Sequence, residues 1–151
     1  MLNKIFKEMK EKNYDEALSL IKELEENTKL NSSMLAVKGM CMQGSDSESY
    51  SLDDIRNIHQ EAVDMDPFNV NALIELAYFY YAIDDDAKKA ENYFATAIEK
   101  ARARITEAVI GRAKCIAEIT SSKDAINFLS KVSTIDDESI LMLVHDLEDL
   151  D

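Results

Sequence analysis

Apolar residues recur at helical spacing along the whole chain. Leu2, Ile5, Phe6 and Met9 stand at i, i+3, i+4 and i+7, one face of a helix over residues 2–11. Lys12-Asn13 reads as a turn, and Ala17, Leu18, Leu20, Ile21 and Leu24 mark a second helix over 15–26. The polar residues 27–33 form a connection, with Ser32 or Ser33 as the N-cap of a third helix over 34–43. Residues 44–53, GSDSESYSLD, contribute little to a core. They read as an insertion or as a small functional loop, and insertion is favoured because surface loops tolerate added length. A fourth helix opens at Leu52-Asp53 and carries Ile55, Ile58, Ala62 and Val63. Asp66-Pro67 ends it, since proline disfavours helical geometry in the residue before it.

The strongest pattern lies in residues 72–101. Small residues (Ala77, Ala90, Ala97) alternate there with bulky ones (Leu73, Leu76, Tyr80, Phe94, Ile98). Asn69 or Asn71 caps a fifth helix over 72–83, and Asp84-Asp85-Asp86 forms a turn that caps a sixth over 87–102. The aspartate triplet lacks the alternating ligands and the glycine of a calcium loop, so a cap is favoured over a cation site. A seventh helix over 106–119, a turn at Thr120-Ser121-Ser122 and an eighth helix over 123–132 follow. Thr134-x-x-Asp137 reads as a capping box before a ninth helix marked by Ile140, Leu143, Val144, Leu147 and Leu150.

These helices pair off. Ala17, Ile21 and Leu24 recur 38 residues on as Ile55, His59 and Ala62, then 35 on as Ala90, Phe94 and Ala97, and 35 on again as Ala125, Leu129 and Val132. Ile5, Gly39, Ala77 and Ala113 share one position in the first helix of each pair. Small residues let paired helices approach, and bulky ones fill the space between.

The period and residue types resemble the tetratricopeptide repeat (TPR) family. The third unit carries the resemblance: Leu73, Leu76, Ala77 and Tyr80 in helix A, then Ala90, Phe94 and Ala97 in helix B. Pro67 stands where the family closes a unit, and Tyr14 and Ala17 fit helix B of the first. The second unit departs at Ile55 and His59, the fourth lacks aromatics, and Arg102 stands where a proline would close the third. The resemblance implies an all-α fold: antiparallel helix-turn-helix units of about 1–31, 32–68, 69–105 and 106–133 stacked as a right-handed superhelix, with a capping helix at 135–150, in one domain.

It also implies a protein or peptide partner held in a groove lined by the A helices. The groove positions are then Asn71, Ile74, Tyr78 and Tyr81 in the third unit, Ser33, Ala36, Met40 and Gln43 in the second, Glu107, Ile110, Lys114 and Ala117 in the fourth, and Leu2, Phe6 and Met9 in the first. Tyr78 and Tyr81 lead, because Tyr80 is claimed by the core and one helix cannot bury all of YFYY on one side. Family members that clamp a chaperone tail favour asparagine where this chain has Glu75, which disfavours that role.

Composition narrows the function. Three glycines and one proline in 151 residues disfavour a turn-rich sheet fold. Thirty acids against 17 bases give a net charge of -13, which disfavours nucleic acid and anionic membrane and favours a basic partner. A neutraliser of a basic protein, such as an immunity protein or secretion chaperone, is the alternative to an adaptor or scaffold. Lys100, Arg102, Arg104, Arg112 and Lys114 form a local basic stretch that either meets an acidic partner or complements nearby acids. Cys41 and Cys115 are too far apart in sequence for metal spacing and read as buried helical thiols. No phosphate loop, HExxH or nucleotide fingerprint occurs, so no enzyme, cofactor or metal is expected. The charged start lacks a signal peptide's apolar run, and a cytoplasmic setting is expected.

Overall fold

The computed structural model describes residues 1–46, 49–132 and 138–148, and the described residues are helical throughout their regular structure. Eight helices follow in order: α1 (Leu2–Lys10), α2 (Tyr14–Asn27), α3 (Ser32–Gly44), α4 (Leu52–Met65), α5 (Val70–Ala82), α6 (Ala87–Ile119), α7 (Ser122–Lys131) and α8 (Glu138–Glu148). The chain divides into two compact units, Met1–Ile98 and Glu99–Asp151, with the division inside α6. None of the described helices is long and apolar enough to cross a membrane.

In the first unit, each of α1 to α4 packs against the next, α4 packs against α5, and α3 also packs against α5. Its core joins Ile5, Ala17, Ile21, Met34, Leu35, Cys41, Ile55, Ala62, Leu73, Leu76, Phe79 and Tyr80 with Ala90 and Ala97 from the start of α6. The recurring positions are where the burial falls. Ile5, Gly39, Ala77 and Ala113 are all buried, and so are Ala17, Ile55, Ala90 and Ala125. In the second unit, Val109 and Ala113 of α6, Ala125 and Leu129 of α7 and Leu147 of α8 form a separate core.

Local chemistry sets the helix starts. Ser51 and Asp54 make a reciprocal capping box at α4, and their mutual hydrogen bonds hold the Asp54 carboxyl below its ordinary range. Asn69 caps α5 by accepting from the Ala72 amide, Asp86 caps α6 through the Lys89 amide, and Ser121 caps α7 through the Asp124 amide. At α3 the cap is Asn31, which accepts from the Met34 amide at 2.9 Å, and not Ser32 or Ser33. Ser32 is buried instead: its hydroxyl donates to the Ala62 carbonyl at 2.7 Å and accepts from Asn69 Nδ2 at 2.8 Å. One residue of register gives the serine a tertiary role in place of a local one.

The main correction concerns α6. Separate helices over 87–102 and 106–119 are expected from the repeat, yet residues 87 to 119 form one helix. The intervening Arg-Ala-Arg-Ile-Thr holds neither glycine nor proline, and alanine and arginine are strong helix formers. Without a proline at Arg102, nothing local stops propagation. Gly111 does not interrupt it either.

Two further expectations change. Cys115 is exposed, whereas Cys41 is buried with its thiol pushed up to about 11 by desolvation. Ile98 is 62% exposed rather than part of the core. The serine-rich segment is tied at both ends, since the Ser45 hydroxyl hydrogen-bonds Asp15, Tyr50 packs half-buried on the core and Ser51 caps α4. In the terminal helix Leu147 is buried and Val144 packs on the second core, while the capping box at Thr134 lies outside the described residues.

Candidate functional site

α5 is buried on most of its circumference. Ala72, Leu73, Leu76, Ala77, Phe79 and Tyr80 point into the core, with Phe79 at 0% and Tyr80 at 4% exposure. The remaining stripe carries the expected groove residues. Asn71 is exposed, Ile74 half-buried, and Tyr78 and Tyr81 are 54% and 61% exposed. The division of YFYY is therefore two in and two out.

Tyr78 is exposed but held. Its ring meets Phe94 of α6 edge-to-face at 5.1 Å between centroids. Tyr80 stacks on Tyr93 at 5.6 Å, and the Lys89 ammonium sits 4.1 Å from the Tyr80 ring centroid. The Tyr93 hydroxyl reaches Gln60 Oε1 on α4. These contacts order the aromatic cluster and leave Tyr78 presenting a large face with little rotamer freedom to lose.

Glu75 lies in the same stripe, four residues after Asn71 and three before Tyr78. It is half-buried, and desolvation raises its carboxyl above the ordinary glutamate value. It makes no ion pair or side-chain hydrogen bond among the described residues. The sequence marks Glu75 only as a mismatch to a clamp, because its lack of a partner is a tertiary fact.

The other expected residues divide by element. Met40 (half-buried) and Gln43 (exposed) lie on α3, which packs against α5. Ala36 is buried and cannot face a partner. Leu2 and Phe6 of α1 are about half exposed, at 48% and 50%. Ile110 (half-buried) and Lys114 (exposed) belong to the second unit, whereas the α5 stripe belongs to the first. In the basic stretch, Lys100 pairs with Glu99, Arg104 with Glu107, and the Arg112 guanidinium lies 4.7 Å from the Phe128 ring.

The aspartate turn is structural. Arg56 grips Asp84 with two bonds, Nε to Oδ2 at 2.9 Å and Nη2 to Oδ1 at 3.0 Å, which raises the guanidinium pKa. Asp86 caps α6, and Asp85 takes a left-handed conformation at φ 53°. Two of the three carboxylates thus serve different neighbours, Asp84 the Arg56 guanidinium and Asp86 the start of α6. No metal-holding cluster occurs among the described residues.

A second surface was not anticipated. Two clefts of ≈ 530 and ≈ 460 Å³ share Lys38 and Tyr50. Asp15, Leu18, Lys22 and Glu25 line the first, and Met42, Asp54, Ile58 and Glu61 line the second. Lys38 bonds Glu25 at 2.7 Å, so the ammonium is already engaged. The signal in the sequence was Tyr50, the only aromatic in the serine-rich segment.

No protein-family model, curated protein or solved structure significantly matches this chain.

Proposed function

We propose that the chain is a non-catalytic interaction module whose first unit stacks its helix pairs in a TPR-like manner and whose α5 stripe binds a protein or peptide segment in the cytoplasm. One observation carries the reading: Tyr78 and Tyr81 are more than half exposed on a helix whose neighbouring Phe79 and Tyr80 are buried. Ordered aromatics with a polar tip are the side chains that dominate binding energy at protein interfaces. Burial at the recurring small positions and packing of α3 against both α4 and α5 support the stacked-pair reading, since a hairpin cannot bury its apolar face alone.

Affinity capture from the native host, followed by mass spectrometry, tests this when run in parallel with Tyr78→Ala and Tyr81→Ala. The expected result is a partner retained by the natural chain and lost from Tyr78→Ala, with helicity kept. A partner bound equally by both variants would refute the reading.

A neutraliser of a basic protein is the second reading, favoured by one observation. Residues 1–98 carry 19 acids against 10 bases. A single tightly bound basic partner, released steeply by salt, would distinguish it from an adaptor that holds several peptides weakly.

A further inference from the structure

We propose that Glu75 seats an arginine side chain of the partner, with the guanidinium paired to the carboxylate and lying against the Tyr78 ring. This deepens the interaction reading and rests on it.

Three observations carry the assignment. First, Glu75 is half-buried and without an ion-pair or side-chain hydrogen-bond partner among the described residues, and the two bases that lie against α5 rings are engaged elsewhere. Arg56 lies 5.8 Å from the Phe79 ring centroid but is committed to Asp84, and Lys89 lies over Tyr80. A carboxylate that has given up part of its water without gaining a donor is a site that gains from an incoming cation. Second, its helical neighbours suit a guanidinium. Tyr78, at i+3, offers a ring held by Phe94, and Asn71, at i-4, adds an exposed amide able to accept a hydrogen bond. Arginine suits this setting better than lysine, since its planar fork pairs with a carboxylate while stacking on an aromatic face. Third, the surrounding unit has nearly twice as many acids as bases, so the long-range field favours a cationic segment.

The test is an NMR titration of the isotope-labelled full chain with acetylated, amidated Gly-Gly-Arg-Gly-Gly and with its citrulline counterpart, which keeps the shape and loses the charge. The arginine peptide is expected to shift the Glu75 and Tyr78 amides saturably, with the citrulline peptide about tenfold weaker. Glu75→Gln should weaken arginine binding by about tenfold, while Glu26→Gln, an equal charge change at an exposed position of α2, should leave it nearly unchanged. Equal binding of the two peptides, equal effects of the two substitutions, or no saturable shift at α5 would overturn the proposal. Capture of the native partner separates the two levels. A partner lost with Tyr78→Ala and retained by Glu75→Gln would leave the interaction face standing and remove the arginine seat. Retention by both would remove the face as well.

Discussion

Gly39 sits in the middle of α3 with no room for a side chain. A Cβ there would lie 2.5 Å from His59 Cε1 and 2.8 Å from both ring nitrogens. The ring cannot easily yield, because His59 is 0% exposed and packs 6.1 Å from the Phe79 centroid. Moving it to normal contact distance in a close-packed core costs about 1–3 kcal/mol. Against that, alanine favours an interior helical site over glycine by about 1 kcal/mol. Gly39→Ala alone should therefore destabilise the first unit modestly. The decisive comparison is a double-mutant cycle: with His59→Ala the clash is gone, and Gly39→Ala should then stabilise by about 1 kcal/mol. The coupling between the two sites should be about 1–3 kcal/mol. Urea unfolding followed by tyrosine fluorescence reads this well. The chain has no tryptophan, and all six tyrosines, Tyr14 to Tyr93, lie in the first unit. Effects that add to within about 0.5 kcal/mol would refute the close-approach argument.

The remaining predictions use the same assays. Gly111→Ala should raise stability by about 0.5–1 kcal/mol in a thermal melt followed by circular dichroism, because α6 is helical there and nothing lies within 4 Å of the added Cβ. Asn69→Ala should cost the first unit about 2 kcal/mol in urea, since it removes the α5 cap and the amide that donates to buried Ser32; Asn69→Asp, which keeps the cap alone, should fall between. Burial lowers the His59 pKa to about 4 from 6.5, and neither ring nitrogen has a hydrogen-bonding partner among the described residues. Below pH 6.5 the unfolded chain takes up a proton that the folded chain refuses. His59's contribution is therefore complete above pH 6.5 and lost as pH falls to 4, by about 3 kcal/mol. Glu75, with its raised pKa, acts in the opposite direction, so the measurement is the difference between the natural chain and His59→Leu across that window. A pH-independent difference would refute the buried, unpaired histidine.

Much of the fold was legible because helix formation leaves a periodic trace. Apolar spacing located α1 to α5, and the recurrence of small residues at Ala17, Ala77, Ala90 and Ala125 marked positions that are buried. Asn69, Asp86 and Ser121 cap as their types suggest. Helix geometry required that some of the four consecutive aromatics face outward, and the register implied by the resemblance picked out Tyr78 and Tyr81, which are exposed. Some assignments failed where local chemistry offered equivalent choices. Asn31, Ser32 and Ser33 are all competent caps, and the Ala62 carbonyl decided which serine turned inward. Residues 102–106 were divided on the strength of the repeat, although their own composition favours an unbroken helix.

The amino-acid sequence by itself thus determined where helices form, which faces are apolar and how strongly the surface is charged, because these depend on spacing and side-chain type. The tertiary structure alone decided which side chains lost water and which found partners. His59 became a buried ring against Gly39, Arg56 was claimed by Asp84, Cys115 stayed in solvent, and Glu75 was left half-buried and, among the described residues, without a cation. Desolvation and pairing depend on neighbours brought together from distant parts of the chain, and no local pattern encodes them.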